Sequence, residues 1–174
     1  FSFYEKSVCS KLDVVIGATP IISSKFNKFC ILTENINNYP LLDELNYGGT
    51  DFTKLDEIVY VGRISEIRGI KTLVKSLSKL RGIRLNLIGE FGNRVIEKEV
   101  KSLPEYDLVN EYGFKNRKEV VDILAKSKIG IVTFLATPNH VDAQPNKMFE
   151  YMSAGLPIVA SNFPLWREII EVND

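Results

Sequence analysis

The chain has 174 residues, 45% of them hydrophobic, enough to bury a real core and to exclude a disordered tail. Lys plus Arg and Asp plus Glu both count 22, so the formal net charge is zero, no global field draws the chain to nucleic acid or an anionic membrane, and any anion site has to be local. Cys9 and Cys30 form no C-x-x-C pair, no apolar run approaches the roughly 20 residues that cross a bilayer, and FSFYEKSVCSK lacks the layout of a signal peptide, so the expectation is a soluble cytoplasmic protein with free thiols.

In chain order, DVVIGAT predicts a strand, PIISSKF a short helix and FCILTEN another strand, before NNYPLLDELNYGGTD, whose turn formers mark a linker. From about Asp56 the rhythm is regular. EIVYVGR predicts a strand, and Ile70, Leu73, Val74 and Leu77 a helix. RLNLIGE predicts the next strand, and Ile96, Val100 and Leu103 a helix closed by Pro104. LVNEYGF is a third strand; Asn116 and Glu119 form a capping box that opens a helix with Val120, Ile123 and Leu124 on its apolar face. KIGIVTFLA is a fourth strand. PNKMFEYMSAG predicts a helix with Met148, Phe149 and Met152 as its buried stripe, ended by Gly155; LPIVAS follows as a buried strand and PLWREIIE as a helix. Runs buried on both faces, alternating with helices, predict a doubly wound α/β domain with a parallel sheet. The expected division is 1–55 for a partial unit plus linker and 56–174 for the α/β unit, truncated at its C-terminus.

In such a sheet ligands bind at the carboxyl ends of the strands. There the sequence places Gly62 and Arg63, then Arg68 and Gly69; Gly89 and Glu90; Gly113, Phe114 and Lys115; and the loop TPNHVDAQ before Pro145. Glycines that let backbone approach a ligand, with two arginines beside a helix start, fit a nucleotide diphosphate, although Arg63 alone reads first as a surface salt-bridge residue and Arg68 alone equally well as a solvated helix residue. G-x-G-x-x-G, the P-loop and D-x-D are all absent, which argues against a dehydrogenase, a P-loop NTPase and a metal held by paired carboxylates. His140 reads as an ordinary loop residue before it reads as a base. Glu150 lies between two apolar segments, with Asn146 one turn before it and Ser153 after it on the same face.

VGRISEIRGIKTLVKSL, LNLIGE, YGFKNRKEVVDILAKSKIGIV and QPNKMFEYMSAGLPIVASNFPLWREII, in that order, resemble the donor-binding C-terminal domain of a family 4 (group 1) glycosyltransferase of the GT-B fold, over roughly residues 57–172. KLDVVIGATPIISSKF and ENINNYPLL are similar to the end of that family's N-terminal acceptor domain and the connection that follows. The resemblance implies a Rossmann-like domain that binds a nucleotide-diphosphate sugar, without cofactor or metal, for retaining transfer to a sugar or lipid-linked sugar acceptor held by the N-terminal domain. It also implies polysaccharide biosynthesis in the cytoplasm, with the full-length protein a candidate for peripheral attachment at the inner membrane.

By the same resemblance, Glu150 is the second of two glutamates with seven residues between them and binds the ribose hydroxyls. The first glutamate's place is taken by Asp142, one methylene shorter, which leaves reach to the donor sugar and a local capping role both open. Arg63 and Arg68 fall on the basic pair that stabilises the departing diphosphate, the second being commonly lysine. The N–H groups of Asn146 and Lys147 fit the same anion, Gly62 and Gly89 bring backbone to the donor, and Phe114 and Lys115 border the base. The chain alone is expected to bind nucleotide without transferring sugar. The alternatives are a non-catalytic nucleotide-sugar binding module and, more remotely, a GT-B epimerase.

Overall fold

The computed structural model describes residues 2–41, 44–45 and 53–172. It opens with a helix that the sequence pattern does not announce, α1 (Ser2–Cys9), followed by β1 (Val15–Gly17), α2 (Pro20–Phe26) and β2 (Thr33–Asn35). β1 and β2 pair in parallel, Val15 opposite Thr33, and Thr19 caps α2 by accepting the Ile22 N–H at 3.3 Å. Cys9 is buried and Cys30 half-buried, both as free thiols. Of the predicted linker, residues 42–43 and 46–51 lie outside the described residues. Its remaining part is irregular, with Tyr39 and Leu41 exposed and Leu45 buried in the core.

The second unit runs β3 (Glu57–Val61), a 3-10 turn at Glu66–Arg68, α3 (Ile70–Ser76), β4 (Arg84–Ile88), α4 (Arg94–Lys101), β5 (Val109–Gly113), α5 (Arg117–Lys126), β6 (Ile129–Val132), α6 (Pro138–Val141), α7 (Asn146–Ser153), β7 (Ile158–Ala160) and α8 (Pro164–Val172). Side chains start two of the helices: Asn93 accepts the N–H groups of Val95 and Ile96, and Asn116 and Glu119 form the reciprocal capping box that the sequence predicts. The strands make one parallel sheet in the order β5-β4-β3-β6-β7. Alternation along each strand divides the core in two: Ile58, Tyr60, Leu85 and Leu87 pack with residues of α3 and α4, while Val59, Ile88 and Val132 pack with residues of α5, α7 and α8. The architecture is the doubly wound α/β sheet that the sequence predicts.

Three expectations change. Burial on both faces holds at the central strands only; β5 and β7 are sheet edges, so LPIVAS is half exposed, with Val159 at 51%. β6 stops at Val132 rather than running through FLA, because Ser161 beyond β7 binds both the N–H and the C=O of Phe134 through its hydroxyl, each at 2.8 Å, and turns the chain out of the ladder. The buried residues of α7 are Lys147, Met148 and Tyr151 rather than Met148, Phe149 and Met152. Phe149 is half-buried and meets the linker's Tyr39 edge-to-face at 4.7 Å instead.

Candidate functional site

The carboxyl ends of β3, β4 and β5 carry glycines at positive φ, and at Gly89 backbone lies directly on backbone. Gly62 and Gly89 have φ of +124° and +136°, and a Cβ on Gly89 would fall 2.0 Å from the Gly62 carbonyl oxygen. The Gly62 N–H donates to Ile88 O and the Gly89 N–H to Gly113 O, both at 2.8 Å. These turns form the floor of a cleft of ≈ 390 Å³ lined by Gly62, Arg63, Gly89, Glu90, Phe91 and Phe114. Phe114 is 76% exposed, so it is a rim residue and not the end of a core strand.

Beside this floor, β3 and β6 are neighbours from which the chain winds in opposite directions, the place where an open α/β sheet has its crevice. They pair only at Ile58–Ile129 and Val59–Gly130. Past that point Tyr151 of α7 takes the place of a strand: its hydroxyl accepts the Val61 N–H at 3.0 Å and donates to Val59 O at 3.4 Å. Its ring lies on Gly130, where a Cβ would come within 2.4 Å of a ring carbon. Burial pushes the ionisation of this hydroxyl up, which keeps it a donor.

The start of α7 faces the crevice. Pro145 precedes it, no side chain caps it, and its first N–H groups belong to Asn146 and Lys147. The Lys147 side chain, for which sequence reasoning foresaw only a backbone role, is 8% exposed and runs inward. Its Nζ stands 4.1 Å from the Tyr60 ring centroid and 5.5 Å from that of Phe134. Arg68 lies over the same Phe134 ring at 5.3 Å. Lys147 Nζ and Arg68 Nη1 approach Gly62 together: a Cβ there would sit 3.0 Å from the first and 3.3 Å from the second. Burial, and then the charge of Arg68, lower the Lys147 ammonium to about 7, against the pull of Glu150. Among the described residues Lys147 Nζ has no hydrogen-bond partner, and neither has the buried hydroxyl of Thr133 just past β6.

The other expected residues separate into rim and support. Arg63 is exposed and donates from Nη2 to Gly92 O at 3.3 Å, so its guanidinium does not join Arg68 under Gly62. Lys115 pairs with Glu119 at 2.8 Å. Glu150, its side chain 22% exposed, binds Nη1 of Arg117 at 2.9 Å, and Nε of the same arginine binds Glu44 of the linker at 2.9 Å. Asp142 is exposed at the end of α6. His140 packs on Phe134 at 4.6 Å between ring centroids, and its Nδ1 lies 3.2 Å from Leu135 O. The Lys147 side chain could have been suspected from its place between a helix start and Met148; the Arg117 bridge and the Tyr151 contact leave no local signal, because their partners are distant in sequence.

The family model for glycosyl transferases group 1 matches residues 56–174. Among solved structures, Anabaena HepE in complex with UDP and glucose superposes with a TM-score of 0.78 at 16% identity, covering 97% of this chain and 49% of that one. Sucrose-phosphate synthase from Thermosynechococcus elongatus gives a TM-score of 0.70 at 20% identity, covering 92% and 43%. S. aureus TarM gives 0.68 at 14% identity, covering 94% and 32%. This chain spans about half the length of HepE, or less of the other two. None of the curated proteins matches it. The five-stranded parallel sheet with its crevice at the β3–β6 divide, together with the match over 56–174, places the chain among the glycosyl transferases group 1, with the Rossmann-like C-terminal domain of the GT-B fold.

Proposed function

We propose that residues 56–174 are the donor-binding domain of a retaining family 4 glycosyltransferase, and that residues 1–55 are the end of its acceptor domain and the connection between the two. The substrate is a nucleotide-diphosphate sugar, and the acceptor a sugar or lipid-linked sugar. The observation that carries this reading is the meeting of Arg68 and Lys147 at Gly62, beside the uncapped start of α7. A guanidinium, a buried amine and the first N–H groups of α7 around a backbone floor suit an anion with several oxygens.

In transfer, negative charge grows on the departing diphosphate, so preorganised cations and amides at that point lower the barrier without a metal. Arg68 and Lys147 are assigned to the diphosphate, and Arg63 to the outer wall of the cleft. The Gly62 and Gly89 turns let the donor lie on backbone, and Phe114 and Lys115 flank the base. Glu150 is assigned to the ribose hydroxyls with the carboxylate oxygen that Arg117 leaves free. The cytoplasmic placement belongs to the same proposal; among the described residues no helix is long and apolar enough to cross a membrane. The exposed Asp142, standing where the resemblance expects glutamate, is the observation that favours a binding module without transfer activity.

Calorimetric titration with UDP, GDP and ADP tests the reading. Binding of one of them, lost in R68M, is the expected result. No binding of any would refute it.

A further inference from the structure

Lys147 is more than nine-tenths buried, has no hydrogen-bond acceptor among the described residues, and its Nζ stands against the bare α-carbon of Gly62, which lines the cleft. An amine in that position is incomplete. Among the described residues each element around it contributes a ring or a charge, and no carboxylate forms an ion pair with it. β3 supplies Tyr60, the turn before α3 supplies Arg68, and the segment after β6 supplies Phe134. α7 itself supplies Glu150, which Arg117 holds at 2.9 Å, and Tyr151. Burial keeps the Tyr60 and Tyr151 hydroxyls protonated, so neither can take the place of an anion.

We propose that the Lys147 side chain is completed by the donor diphosphate, and that binding of this anion at Gly62 is accompanied by uptake of one proton from solvent onto Nζ. No bond of the donor breaks in this step; a proton moves from water to the amine as the anion arrives. The proposal rests on the nucleotide reading above and adds a pH dependence to it. Its sign follows from the direction of the shift. The free amine, lowered to about 7, is charged below that pH and neutral above it. A diphosphate beside it restores the ordinary lysine range, so affinity is full below the free value and falls as pH rises through and beyond it.

The probe is UDP, titrated at pH 7.5 and at pH 9 in two buffers of different ionisation enthalpy. Its terminal phosphate ionises near 6 and is already a dianion across this range. The expected result is proton uptake approaching one per UDP at pH 9, and affinity falling on the order of 10-fold between the two pH values. In K147M, a side chain of similar length in the same apolar slot, affinity should drop and both the uptake and the pH slope should vanish. UDP binding without proton uptake, or K147M binding as the parent does, overturns this proposal and leaves the nucleotide reading standing. Absence of UDP, GDP and ADP binding at either pH overturns both. The uptake measurement on the unaltered chain decides the matter even if K147M folds poorly.

Discussion

Glu150→Gln separates a ligand-binding carboxylate from a structural one. The exchange keeps the shape of the side chain, removes its charge, and turns one accepting oxygen into a donor. In the free protein the carboxylate has Arg117 as partner at 2.9 Å, with side-chain exposures of 22% and 40%, and Arg117 keeps its second bond to Glu44. So exposed an ion pair contributes about 0–1 kcal/mol, and glutamine has similar helix propensity, so stability should change by no more than about 1 kcal/mol. Nucleotide binding should respond more strongly. A charge-assisted bond to a ribose hydroxyl contributes about 1.5–3 kcal/mol, which is a 10- to 100-fold loss of affinity. Calorimetric titration with the nucleotide that binds, paired with urea melts of free protein, reads both numbers. Unchanged affinity would return Glu150 to the role of an anchor for Arg117 and the linker; a loss above about 2 kcal/mol without ligand would make it a structural residue first.

The paired glycine turns predict a contrast between two alanine variants. G89A meets the Gly62 carbonyl at 2.0 Å with φ at +136°, whereas G82A at φ +71° meets nothing within 4 Å. Strain plus clash should cost G89A about 3 kcal/mol or more, and strain alone should cost G82A about 1 kcal/mol; equal urea midpoints would refute the account. G130A drives a methyl into the Tyr151 ring at 2.4 Å and should lose about 2–3 kcal/mol in the same assay. Because the diphosphate is assigned to Arg68, Lys147 and the start of α7, nucleotide affinity should survive EDTA, and its collapse in a calorimetric titration would reveal a metal requirement.

The sheet was legible because its signals are local. Apolar runs, the Asn116–Glu119 box and the glycines at the ends of β3, β4 and β5 stand within a few residues of what they control, and α5 and the ends of those three strands fall where they predict. Edge exposure was not legible, since β5 and β7 look like central strands until the strand order is known. The rotation of α7 was missed for a similar reason. By hydropathy Phe149 belongs inside and Lys147 outside, but Tyr39 covers the phenylalanine from the linker while Tyr60 and Phe134 receive the lysine. Of the site, the glycines and Arg68 could be named from their place past the strand ends, and the start of α7 from the family resemblance. What Arg63, Lys115 and Glu150 touch depends on residues from 4 to 33 positions away.

Tyr151 also acts as a spacer. One phenol, resting on a bare α-carbon and tied to two rungs of β3, sets how far β3 and β6 stand apart at the mouth of the crevice. That width is therefore a property of the interior and does not depend on the surrounding loops. On the proposed donor reading, the exposed Phe114 at the rim can be exchanged to suit another base while the spacing set by Tyr151 stays the same. Re-engineering of donor choice should accordingly begin at the rim and leave Gly130 and Tyr151 as a fixed pair.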